Sequence, residues 1–207
     1  MHNVVRTTFL LLAMGWLSPV LWGQAVEVQI LSADEISRDP DIVQGQRLIG
    51  HVLLAVGSAE VACDSAWRFP SGVFQLMGEV VAQDGAVDLL GDELVLHPDS
   101  GVGTLKGREV KLIDRTEKDN VRTLVTQDLR YDFREGQAAF DGGGTVTTAQ
   151  EKIDSWSGFF EREMRRLRFA GDVNLSLDYL IVRAQQLAYW PEQRRLDLPV
   201  SAEIEYP

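Results

Sequence analysis

The sequence predicts an all-β chain built from repeats. Three observations predict it: a short marker recurring about every thirty residues, period-two alternation between markers, and turn-forming residues where hairpins need them. The chain has 207 residues, 45% hydrophobic and 25% charged, which is enough apolar material for a core and too much for a disordered chain.

The first twenty-five residues read as an export signal, not as part of the fold. Arg6 supplies the positive start and Phe9 to Leu17 the apolar centre. Pro19 breaks any helix, and small residues at Gly23 and Ala25 offer cleavage after either one. The alternative is a retained anchor, but the apolar stretch is about 15 residues against the roughly 20 a bilayer core requires. The folded domain is therefore expected over residues 26–207, in the periplasm.

Within that domain the marker is a small or polar residue, an Asp or its substitute, a variable position and an apolar residue. It appears as Ala33-Asp34-Glu35-Ile36, Cys63-Asp64-Ser65-Ala66, Gly91-Asp92-Glu93-Leu94, Thr126-Gln127-Asp128-Leu129, Trp156-Ser157-Gly158-Phe159 and Ala184-Gln185-Gln186-Leu187. One interval is longer than the others, and the charged segment Asp114 to Asn120 accounts for the excess as an inserted loop. Between markers a glycine followed closely by Val recurs, at Gly50-His51-Val52, Gly78-Glu79-Val80, Gly107 to Val110 and Gly171-Asp172-Val173. Each unit thus reads as two strands, one entered through the marker and one interrupted by the glycine. About six such units are expected.

Alternation supports the strands. Phe74, Leu76, Val80 and Ala82 share one face of the first clear strand, and Leu167, Phe169, Val173 and Leu175 share one face of another, with Arg168, Asp172 and Asn174 opposite. Turn residues separate the strands at Phe69-Pro70-Ser71-Gly72, His97 to Gly101, Arg134-Glu135-Gly136 and Trp190-Pro191-Glu192. Gly158 to Arg168 has helix-forming composition, but its place in the repeat predicts strand. Asp141-Gly142-Gly143-Gly144 lacks the Lys-Ser/Thr of a phosphate-binding loop and reads as a flexible turn.

Composition also excludes functions. The net charge of −11 argues against nucleic acid, whose phosphates require clustered Lys and Arg. The single cysteine, Cys63, excludes an intrachain disulfide and a cysteine-cluster zinc site. His51 and His97 are the only histidines beyond the signal and lie at no ligand spacing, so no metal, cofactor or catalytic triad is expected. Asp34, Asp64 and Asp92 recur without a nucleophilic partner, and are expected to bond backbone amides at strand corners.

The run Leu31-Ser32-Ala33-Asp34-Glu35, then Arg47 to Val52, then Cys63-Asp64-Ser65-Ala66-Trp67 resembles the OstA-like family of lipopolysaccharide-transport proteins, the LptA family, and is most similar to its Bacteroidota forms. The resemblance runs from about Val26 to Tyr206. The later markers depart from it, carrying Gln127, Ser157 and Gln185 where the family pattern has aspartate. It implies an open, twisted β-jellyroll whose apolar interior takes the acyl chains of lipid A. It also implies exposed edge strands that pair with LptC-like and LptD-like jellyrolls, or with further copies of the chain. Such a protein is a carrier or bridge and not an enzyme.

The candidate inner face comprises Val52, Leu54, Phe74, Leu76, Val80, Leu94, Leu96, Leu129, Tyr131, Phe159, Leu167, Phe169, Val173, Leu175, Leu187 and Tyr189. Three other readings remain at this point: an LptC-like subunit anchored by its N-terminus, a carbohydrate-active parallel β-helix enzyme, and a self-assembling structural β-protein.

Overall fold

The computed structural model describes residues 25–38, 45–162, 165–193, 195–199 and 201–206. The expected export signal lies outside the described residues. No helix among those described is long and apolar enough to cross a membrane.

The described chain is an antiparallel meander. The strands are β1 (Val28–Ser32), β2 (Glu35–Arg38), β3 (Gln46–Val56), β4 (Ala59–Arg68), β5 (Phe74–Asp84), β6 (Val87–His97), β7 (Val102–Asp114), β8 (Arg122–Asp132), β9 (Gln137–Thr147), β10 (Glu151–Glu161), β11 (Arg166–Leu177), β12 (Leu180–Trp190), β13 (Arg195–Asp197) and β14 (Ala202–Glu205). All fourteen belong to one sheet, and each strand from β3 to β12 pairs with its sequence neighbours. Two short strands share each end, β1 and β2 on β3, and β13 and β14 on β12. Hairpin succeeds hairpin without a crossover, so the parallel β-helix reading is excluded. Gly158 to Glu161 ends β10 and Arg166 to Arg168 opens β11, strand as the repeat predicts.

Every pairing from β3·β4 to β11·β12 breaks register once, near its middle. The irregularities fall side by side and form a line across the sheet. At Gly78 the cause is visible. Gly78 has φ 80° and Glu79 comes next at φ 41°, so two successive left-handed residues stand in β5. A Cβ on Gly78 would lie 2.2 Å from an Asp64 carboxylate oxygen on β4. This bulge bends the strand and re-aims its second half. The residue after the pair is Val80, 1% exposed, which explains the recurring glycine-to-valine spacing. Asp141 to Gly144 is another such bulge, inside β9, and not the turn expected from its composition.

The bends fold the sheet onto itself. β5 and β8 are three strands apart, about 14 Å along a flat sheet at ~4.8 Å per strand. Yet the Tyr131 hydroxyl on β8 donates to the Asp84 carboxylate at the end of β5 across 2.6 Å. Such a bond requires the half-strands before and after the bulge line to face each other as two layers. Each strand of about eleven residues contributes about five to each layer, and the inner faces of both form one continuous core.

The fifth marker is shifted by one residue. Ser155 and Gly158 are buried, as Cys63 and Ala66 are, and a Cβ on Gly171 would lie 2.6 Å from Trp156 Cβ, as Gly78 is opposed by Asp64. Trp156 therefore occupies the place of the repeated aspartate, and the unit is Ser155-Trp156-Ser157-Gly158.

Candidate functional site

Fifteen of the sixteen candidate inner-face residues are 0 to 4% exposed and belong to the core. Phe159 is the exception. It is half-buried on the outer face, where the Arg168 guanidinium lies 4.9 Å from its ring centroid. Phe160 takes the inner position instead, edge-on to Phe169 at 6.2 Å and tilted against Phe140 at 6.5 Å. The physical reason is the one-residue shift of the fifth marker, because a slip of one residue sends every side chain after it to the opposite face.

The interior is packed. Leu54, Leu76, Leu94, Leu96, Leu129 and Leu175 are each fully buried within one hydrophobic cluster. Polar contacts cross between the layers where the strand ends meet. Asp84, 5% exposed, accepts from Tyr131 and from Ser58 Oγ at 3.2 Å, and Arg162 reaches it at 3.4 Å. Tyr189 on β12 donates to Glu151 at the start of β10. Burial, with the carboxylate beside it, raises the hydroxyl pKa of both tyrosines, so each stays a donor throughout the physiological range. These contacts latch one layer to the other.

Beside the first latch is a cavity of about 190 Å³ between the layer edges. Val87, Leu112, Phe160 and Leu167 line its apolar wall, and Arg122, Arg162, Arg165 and Arg166 reach it together with Asp114, Glu117, Glu161 and Glu192. The 115–121 loop supplies part of the rim, which gives the charged insertion a place in the site. Repeat reasoning misses this seam, since Asp84-Gly85 and Arg162 are ordinary hairpin residues by composition. Only the folding of the sheet brings β5, β8 and β10 ends together.

The remaining singled-out residues have structural places. Cys63 is 6% exposed, its Sγ 3.2 Å from the Ser65 carbonyl, and burial pushes its thiol up to about 11. Asp92 accepts from the Arg108 amide at 3.0 Å, the corner role expected of it. Asp34 meets the exposed His51 Nδ1 at 2.8 Å, and this hydrogen bond raises the imidazole pKa. No group of three metal-ligating side chains occurs among the described residues.

The sheet ends on two edges with no strand beyond them among the described residues. Leu31 and Ile36 are exposed on the first edge and Ile204 and Tyr206 on or beside the last. Backbone groups on such edges are free to pair with another chain.

No curated protein matches the sequence. Among solved structures, the chain is similar to LptH of Pseudomonas aeruginosa, described as the LptA homologous periplasmic component of the conserved lipopolysaccharide transport device. Identity is 12%, the alignment covers 87% of this chain and 97% of that one, and the TM-score is 0.46. The sequence profile of the OstA-like protein family matches residues 25–182, well over half of the chain. The chain belongs to the OstA-like protein family.

Proposed function

We propose that this chain is a periplasmic lipopolysaccharide carrier or bridge, taking acyl chains between its two layers and joining neighbouring jellyrolls through its edge strands. The observation that carries this reading is the continuous apolar inner face running through every strand from β3 to β12. Burying acyl chains stabilises a complex by about 0.8 kcal/mol per methylene without directional chemistry. A single apolar face is sufficient for that. The net negative charge gives a phosphorylated ligand no general attraction, so the main part of the affinity comes from the acyl chains.

Because the interior is packed, acyl chains enter only when the layers part. The latches at Asp84 and Glu151 make the seam the place of parting. Assembly then proceeds by β-augmentation, an LptC-like partner at one edge and an LptD-like partner at the other, with head-to-tail copies of this chain as a further arrangement.

Photoreactive residues at Phe74 and Phe169 test the reading. Lipopolysaccharide is expected to crosslink at both and not at Arg168 on the outer face. Equal labelling at all three positions overturns it. The apolar stretch from Phe9 to Gly23 also suits an LptC-like subunit held in the inner membrane. N-terminal sequencing of the exported protein separates the two, a start at Gln24 or Val26 removing the anchor.

A further inference from the structure

We propose that the seam cavity is an oxyanion site, built to take the phosphoryl group of an amphiphile whose chain continues between the layers. As the docking place of a lipid head group this rests on the carrier reading above. As a site for the oxyanion itself it rests on geometry alone.

The decisive residue is Arg122. It is 9% exposed, it lines the cavity, and its Nε has no hydrogen-bond partner. Its ion-pair partner Asp114 is 3.6 Å from Nη1, beyond hydrogen-bonding distance. A buried guanidinium in that state is expensive, since an unmade charged hydrogen bond forfeits the solvation lost on burial. Nε itself is closed off from the cavity, so an oxyanion there would be met by the terminal nitrogens Nη1 and Nη2, adding the charge-assisted bonds that Asp114 at 3.6 Å does not make.

The neighbouring groups sort by how fully they are engaged. Arg165 is closely paired with Glu192, and Arg166 with Glu161. Arg162 is held by two long contacts to Asp84, Nη1 3.4 Å from the carboxylate and Nη2 3.3 Å from the backbone carbonyl, and its side chain is 39% exposed. Arg122 has no close partner among the described residues and Arg162 only long ones, so these are the two guanidiniums whose existing contacts an oxyanion most easily replaces. They approach from β8 and from the end of β10. Four arginines and four carboxylates line the cavity, so no excess charge draws the anion in. Selectivity comes from directional N–H donors, which suit the planar fork of arginine and the several oxygens of a phosphoryl group.

Size and wall chemistry define the rest of the ligand. At about 190 Å³ the cavity is below the roughly 300 Å³ at which pockets begin to enclose a drug-sized molecule. It holds a head group or the start of a chain, not a whole lipid. Its apolar wall is continuous with the core through Leu112, Phe160 and Leu167. An oxyanion on Arg162 also competes with Asp84, so head-group binding loosens the latch that closes the layers.

The test uses the full-length exported protein with three probes: inorganic phosphate, bisphosphorylated lipid A and dephosphorylated lipid A. Phosphate is expected to shift the ¹⁵N side-chain resonance of Arg122 Nε, and chloride at equal ionic strength is not. Phosphorylated lipid A is expected to bind at least about tenfold more tightly than its dephosphorylated form, a difference of about 1.4 kcal/mol. That preference should collapse in Arg122→Gln and Arg162→Gln and persist in Arg130→Gln, a change on the outer face of β8. Tight binding of both lipids without a preference, or a preference unmoved by both seam variants, overturns the site and leaves the carrier reading standing. If neither lipid binds, the carrier reading fails. The phosphate titration then decides: a shift at Arg122 supports the site as one for free phosphate, and no shift overturns it.

Discussion

At the scale of single residues, the fold depends on positions whose side chains matter less than their backbone. Gly78 is the clearest, with φ 80° and its missing Cβ facing the Asp64 carboxylate at 2.2 Å. Gly78→Ala is expected to destabilise the protein by at least about 1–2 kcal/mol, from left-handed strain together with displacement of Asp64. Urea unfolding monitored by circular dichroism measures it. A stability unchanged within error would mean that the bulge forms without the glycine. The glycine itself is visible in sequence because it recurs ahead of a valine. Its meaning is not, since a bulge, a hairpin corner and a flexible turn draw on the same residues. Asp141 to Gly144 shows the ambiguity: local composition reads as a turn, while the partners on β8 and β10 hold it within a strand.

At the scale of the element, strand alternation is informative on either side of a bend and uninformative across it. In β11 the glycine pair adds two residues between Phe169 and Val173, so parity survives and the inner face is legible from sequence. In β10 the buried residues pass from Ser155 to Gly158, and parity reverses. With Trp156 standing where other repeats have aspartate, the marker offers no anchor for that reversal, and alternation alone puts Phe159 inside. The two neighbouring phenylalanines therefore separate the assignments. Phe160→Ala is expected to cost about 3–5 kcal/mol, as for a core aromatic, and Phe159→Ala less than about 1 kcal/mol, as for an outer-face side chain. Chemical denaturation of both variants reads the difference. Equal losses, or the reverse order, would return the inner face to Phe159.

At the scale of the whole molecule, the sheet is folded into two layers joined by polar contacts where strand ends meet. The repeat, the strand count and the absence of helical periods make the meander legible in sequence. The cover of its apolar face is not legible, because the covering layer is the same sheet, brought round by bends whose summed angle no local window contains. The Asp84 cluster belongs to that global level, joining residues 47 and 78 positions apart. Its removal offers a direct test of whether the layers part to admit a ligand. Asp84→Ala leaves the Tyr131 hydroxyl without its acceptor, at a cost of about 1–3 kcal/mol. For a domain of this size that corresponds to a fall in Tm of roughly 2–12 °C. If parting limits entry, the same loss raises the open population by up to roughly tenfold for each 1.4 kcal/mol, and lipid uptake in a stopped-flow assay accelerates accordingly. A variant that melts earlier yet takes up lipid at the unaltered rate would show that the Asp84 latch supports the fold without gating it. Entry would then have to proceed from an open edge of the sheet, between β3 and its partner or beyond β12.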